Sequence, residues 1–215
     1  MNKVPTAQHR LKSCGDEWRS WTQDRVDDFQ ELSLSQLGKV KTKLMKKPIA
    51  DVAEKAYQMG KEYERTYRGC GQCVMAALQD TLDIRNDDIF KAATALAGGT
   101  GLAADSGCGA YIGAILVLGS LVGRERNNFS DAEGTRFKTH HLARTFRERF
   151  IREYGSVICR DIQNKILGRY YYLPDPQEYE KFHNAGAHDI HCPEVVGKAA
   201  KWMTEIILEE GLISR

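Results

Sequence analysis

From Ile49 onward, apolar residues recur every three to four positions along the chain. Ile49, Val52, Ala53, Ala56, Tyr57, Gly60 and Tyr63 form the first such stripe, the spacing of one face of an amphipathic helix. A second helix is expected from about Gln72 to Leu82. A third is expected from Asp87, its cap, to Ala97, ended by the turn Gly98-Gly99-Thr100-Gly101. An apolar helix from about Gly109 to Val122 follows. Ser130, with Glu133 three residues on, has the form of a capping box for a helix through Phe137, Leu142, Phe146 and Phe150. Ser156 is placed to cap a short helix carrying Cys159, Ile162 and Ile166. Residues 168–191 read as irregular, with Pro174 and Pro176 inside them. Pro193 suits the opening of a last helix, whose apolar face is Val195, Val196, Ala199, Trp202, Met203, Ile206 and Ile207. No stretch alternates as a strand does. The expected fold is all-α: a single helical-bundle domain over residues 49–215, preceded by a polar, charged extension over residues 1–48.

The extension carries Trp18, Trp21 and Phe29 as its large apolar residues. A lysine run at Lys39, Lys41, Lys43, Lys46 and Lys47 reads as a solvated helix face or linker. With 31 basic and 29 acidic residues, the net charge of +2 gives no reason to expect nucleic acid. The longest uncharged run, Ser106 to Gly123, approaches the ~18 residues of a membrane span. Five glycines interrupt it, so a buried core helix is the expectation and a membrane span is not.

Six cysteines change the picture: Cys14, Cys70, Cys73, Cys108, Cys159 and Cys192. The start of the chain has no apolar leader, so the expected compartment is the reducing cytoplasm, where thiols serve metal or redox chemistry more often than structural disulfides. Cys70-Gly-Gln-Cys73 is a C-x-x-C pair at a helix start, a setting that lowers thiol pKa and can form a disulfide or bind a metal. Cys108 precedes the apolar helix, Cys159 falls in the first turn of its helix, and Cys192 immediately precedes Pro193. Four cysteine sites thus fall near helix N-termini, where free N–H groups and the helix dipole favour thiolates. Cys14, in the extension, is read as a bystander.

The stretch Gly107-Cys108-Gly109-Ala110-Tyr111-Ile112-Gly113 resembles the signature of the redox-active protein family named for its C…GCAxxG…C…C cysteine pattern. Gln72 to Leu78 looks like the family's first cysteine helix, and Ala97 to Gly101 is similar to its glycine-rich loop. Phe150 to Cys159, with Asp161-Ile162, looks like the third cysteine segment, and Cys192 resembles the fourth. A related domain in split-Soret cytochromes is associated with an iron–sulfur centre. The resemblance implies that Cys73, Cys108, Cys159 and Cys192 hold an iron–sulfur cluster (2Fe–2S or 4Fe–4S), with Gly99, Gly101, Gly107 and Gly109 making room for it. It also implies electron transfer with a redox partner protein. Cys70 lies outside that core pattern, as a fifth ligand, a substitute ligand or a resolving thiol.

Two other readings stay open. Cys70 and Cys73 would cycle as a thiol–disulfide oxidoreductase, with Cys108 as a third thiol. Alternatively, cysteines with His188 or His191 would hold a structural zinc in a non-enzymatic protein, although only Cys70 and Cys73 are spaced as the close ligand pair that zinc sites favour. Gly99-Thr-Gly101-Leu-Ala-Ala104 fits G-x-G-x-x-A but follows no strand, so it is not read as a nucleotide site. Tyr170, Tyr171 and Tyr172 suit loop packing, a homodimer contact or a pocket wall. Arg144, Arg147, Arg149 and Arg152, interleaved with Glu148 and Glu153, read as an ion-paired helix surface.

Overall fold

The structure is a computed structural model that describes residues 48–213. The extension, with Cys14, its aromatic anchors and most of its lysine run, lies outside the described residues. The described chain is all-α. Its eight α-helices are α1 (Ile49–Tyr67), α2 (Cys70–Leu82), α3 (Asp87–Ala92), α4 (Gly109–Val122), α5 (Thr135–Tyr154), α6 (Cys159–Leu167), α7 (Pro176–Asn184) and α8 (Cys192–Glu209). A 3-10 turn at Ala93–Leu96 extends α3, and a π-helical turn at Ala187–His191 leads into α8.

The stripe on α1 is unusual in its small residues. Ala53, Ala56 and Gly60 are buried on one line, so α8 can lie close against α1. A Cβ added at Gly60 would come within 3.1 Å of the Val196 carbonyl, and one at Gly197 within 2.8 Å of the Tyr57 carbonyl. The second close crossing joins α2 to α4. There a Cβ at Gly113 would sit 2.4 Å from the Gly71 carbonyl oxygen. Gly113 therefore serves helix contact, the ordinary use of a small residue in a bundle core. Helix α5 closes the bundle with an aromatic cluster: Phe146 and Phe150 are fully buried and meet Tyr111, Tyr154 and Trp202. Arg149 on the same helix pairs with Glu205 of α8. Among the described residues no helix is long and apolar enough to cross a membrane.

Several helix starts differ from those expected. Asn86, not Asp87, caps α3, accepting from the Ile89 N–H at 3.1 Å. Helix α5 begins at Thr135 after Gly134 in the left-handed region, φ 70°. Ser130 and Glu133 hydrogen-bond Asn128 instead of forming a capping box. The carboxylate of Asp131 does the capping, accepting from the Arg136 N–H at 3.1 Å. Ser156 accepts from the Ile158 N–H and donates to Asp161, which forms the turn before α6. Most consequential is Gly69. Its φ of 87° breaks the chain after α1, so α2 starts at Cys70, two residues before the expected Gln72. The irregular segment 168–191 contains α7, capped by Asp175 with Pro176 in its first turn. Tyr171 of the tyrosine run is buried against Phe182.

Candidate functional site

The corrected boundary at Gly69 gives every cysteine of interest a definite place. Cys70 is the first residue of α2, Cys108 is the N-cap of α4, Cys159 is the first residue of α6 and Cys192 is the first residue of α8. These four line one cavity of about 130 Å³. Cys73 does not. It lies one turn into α2, buried, and lines a separate outer groove with Tyr63, Tyr67, Gln72 and Asp80. Its thiol donates to the Arg68 carbonyl at 3.1 Å. The structure thus brings together three of the four cysteines nominated from the sequence, with Cys70 in place of Cys73.

Backbone bonds alone hold two of the segments side by side. Gly107 and Ile158 form an isolated antiparallel bridge. In it the Cys108 N–H donates to the Val157 carbonyl at 2.8 Å, and the Cys159 N–H donates to the Ser106 carbonyl at 2.9 Å. The glycine-rich loop is strapped to the same place, because the Arg160 N–H donates to the Ala104 carbonyl at 2.8 Å. That loop runs through consecutive left-handed residues from Gly98 to Leu102. Gly99 packs on Cys159, where a Cβ would come within 2.8 Å of the cysteine's own Cβ, whereas Gly101 has nothing around it. Gly107 therefore serves the bridge, Gly99 the loop packing and Gly109 the cavity.

The thiols are not equivalent. Cys70 is pulled down to about 6, chiefly because the Cys108 thiol donates a hydrogen bond to its sulfur. Backbone N–H groups of Gly98, Ala110 and Gly109 add to this. Burial opposes it. The N–H groups exposed at the start of α4 thus point at a thiolate borne by another helix, the arrangement helix termini favour. Gly109 is needed for that approach, since a Cβ there would lie 2.5 Å from the Cys70 sulfur. Cys108 is pushed up as the donor in this pair. Burial pushes Cys159 up to about 12 and raises Cys192 as well. Three of the four thiols that face the cavity are thus held towards their neutral form, and binding a metal there would release protons.

Glu64 and His188 join the thiols in an otherwise largely apolar lining. Glu64, on the last turn of α1, is 3% exposed, and its Oε2 has no hydrogen-bond partner. Burial and the nearby Cys70 thiolate raise its carboxyl well above the usual range. His188 is also buried, with its Nδ1 3.3 Å from that of His183. His191 faces a different pocket, beside Lys61 and Glu194. Among the described residues no three Cys, His, Asp or Glu side chains converge as a single metal ion requires.

Burial takes His188 down to about 4. An unfolded chain gains this proton near pH 6.5, while the folded chain refuses it until about 4. The stability contributed by neutral His188 is therefore complete above pH 6.5 and is lost as pH falls towards 4. Thermal unfolding of the metal-free protein between pH 7 and 4 should show a steeper loss for wild type than for His188→Gln.

A family model described as "Putative redox-active protein (C_GCAxxG_C_C)" matches residues 68–206, which include all four cavity cysteines. The chain belongs to this family. Searches of curated proteins and of solved structures gave no match. Within the C_GCAxxG_C_C pattern, this chain uses Cys70 as the first cysteine of the cavity, with Cys73 beside it but facing the other way. Helix starts were the legible signal for this choice. The cavity residue that the sequence reading passed over is Glu64, which occupies the next position on the line Ala53, Ala56, Gly60.

Proposed function

We propose that Cys70, Cys108, Cys159 and Cys192 together hold an iron–sulfur cluster and that the protein passes electrons through it. The observation that carries this reading is the ring of four thiols, from four helix starts, around one cavity. Four thiolates are the usual ligand set of such clusters. The donors line a cavity instead of converging on a point, which suits a polynuclear centre better than one zinc ion. The N–H groups of Gly98, Gly109 and Ala110 already bond to one sulfur, and hydrogen bonds to sulfur are among the features that set a cluster's potential. When bound, the cluster supplies a one-electron couple. The residues around it exclude water, through Ile162, Leu173, Phe182 and Val196, and fix the thiols by helix packing. A redox partner protein is the implied donor or acceptor, and a reducing cytoplasm the implied setting.

Anaerobic reconstitution with ferrous iron and sulfide tests this. The expected product is a coloured protein with stoichiometric iron and acid-labile sulfide, bleached by dithionite. A colourless protein without iron would overturn it. One observation favours a second reading, thiol–disulfide chemistry: the Cys108 thiol contacts the Cys70 thiolate directly. That version pairs Cys70 with Cys108, since Cys73 faces the outer groove. It predicts two fewer titratable thiols after mild oxidation of the metal-free protein.

A further inference from the structure

A pocket of about 310 Å³ opens where α1, α5, α6 and α8 meet. Arg65 and Ile190 are exposed and form its rim, with His191 beside them. Ile166 and Val195 form an apolar wall. They also line the four-cysteine cavity, so the two spaces share a wall but no thiol. At the inner end Tyr154 is 6% exposed, and its hydroxyl has no hydrogen-bond partner among the described residues. The Tyr154 ring packs on Phe150 and Trp202, which a phenylalanine would do equally well. A buried hydroxyl left unpaired is costly, and that packing does not account for it.

Lys61, Lys198, Glu153 and Glu194 complete the lining. Both carboxylates are already engaged. Glu194 accepts from the Tyr57 hydroxyl at 2.6 Å and from Lys61 at 2.9 Å, and it pairs with Lys198 at 3.5 Å. Glu153 accepts from Lys198 at 2.6 Å. Set against Lys61, Arg65 and Lys198, the two carboxylates leave one positive charge over. Donors are also left over, because an ammonium has three N–H groups and a guanidinium five. The Arg65 Nε donates to the Asp189 carbonyl at 3.0 Å, which fixes the fork and leaves its outer nitrogens for a ligand.

We propose that this pocket binds a small oxo acid as its monoanion. The carboxylate meets Arg65 and Lys61, the carbon chain lies on Ile166 and Val195, and the carbonyl oxygen accepts from Tyr154. The surplus positive charge suits one carboxylate, which an arginine fork holds through two parallel N–H bonds. The apolar wall favours a carbon body over an inorganic anion. The unpaired hydroxyl at the inner end is matched by a neutral acceptor, which a plain carboxylic acid lacks. No cavity cysteine lines this pocket, so binding is expected with or without a metal beside it.

Isothermal titration calorimetry of the full chain tests this. The probes are 4-oxopentanoate and 5-oxohexanoate, with pentanoate and hexanoate as counterparts lacking the oxo group, and inorganic phosphate as a bare anion. At least one oxo acid should bind about 10-fold more tightly than its counterpart, the worth of one neutral hydrogen bond. Tyr154→Phe should erase that preference while melting at or above the wild-type temperature, because it loses only an unpaired hydroxyl. Arg65→Gln should weaken the oxo acid and its counterpart together, by about 10–100-fold. No binding of either oxo acid, or a preference that survives in Tyr154→Phe, overturns the proposal. Unchanged affinity in Arg65→Gln overturns the placement of the carboxylate. Phosphate binding as tightly as the oxo acids overturns the oxo acid as the ligand class.

Discussion

Replacing Cys70 with serine should abolish the chromophore of the reconstituted protein, while Cys73→Ser should leave its iron and sulfide content at the wild-type level. The two residues are three apart, chemically identical and joined in one C-x-x-C, so the contrast tests geometry alone. Cys70 sits in the cavity and receives N–H groups from the glycine loop and the start of α4. Cys73 points into the groove. Residues that merely support metal ligands cost about 10–100-fold in affinity when changed, so loss of a ligand should cost at least about 100-fold. Metal analysis and the visible spectrum of both variants, prepared side by side, check this. Loss only in Cys73→Ser would return the site to the assignment expected from sequence, and equal loss in both would make both thiols necessary.

The largest effect on stability should come from Phe150→Ala. Phe150 is fully buried, and its ring lies 5.2 Å from those of Tyr111 and Phe146 and 5.5 Å from those of Tyr154 and Trp202. It therefore joins α4, α5 and α8. Truncating a buried phenylalanine costs about 3–5 kcal/mol, the lost transfer energy plus the cavity left behind. Against a typical total of about 5–15 kcal/mol, that is a large share. The melting temperature should fall by about 6–20 °C for a domain of this size. Urea unfolding of the metal-free protein separates this loss from any effect of the centre, and a fall of under 1 kcal/mol would show that the cluster is not the keystone of the bundle. Phe150 does not line the cavity, so the surviving folded fraction should still take up iron.

Most of the helices were legible because their apolar stripes are long: α1, α4, α5 and α8 each bury a face that repeats at helical spacing. The helix-start placement of the cysteines was legible for the same reason. What failed was local. A shift of two residues at the start of α2 puts Cys70 in the cavity and Cys73 in the outer groove, and it turned on one left-handed glycine, Gly69, whose conformation no periodicity reveals. The cap of α5 went to Asp131 because Gly134 delays the helix past the position where Ser130 and Glu133 could close on it. Glu64 was hidden by its charge. An acid at the end of a small-residue stripe reads as the edge of the buried face, yet here the face continues through it.

The order of the four cavity cysteines along the chain has a consequence for synthesis. Cys192 begins the last helix, and that helix is also the main packing partner of the first, α1. A nascent chain can form the Gly107–Ile158 clasp as soon as residue 159 has left the ribosome, which sets Cys108 beside Cys159. It cannot close the ring until α8 emerges. The four-thiol cavity is therefore assembled only once α8 has been made, and a ribosome stalled before α8 would hold three of the four thiols without the helix that completes it.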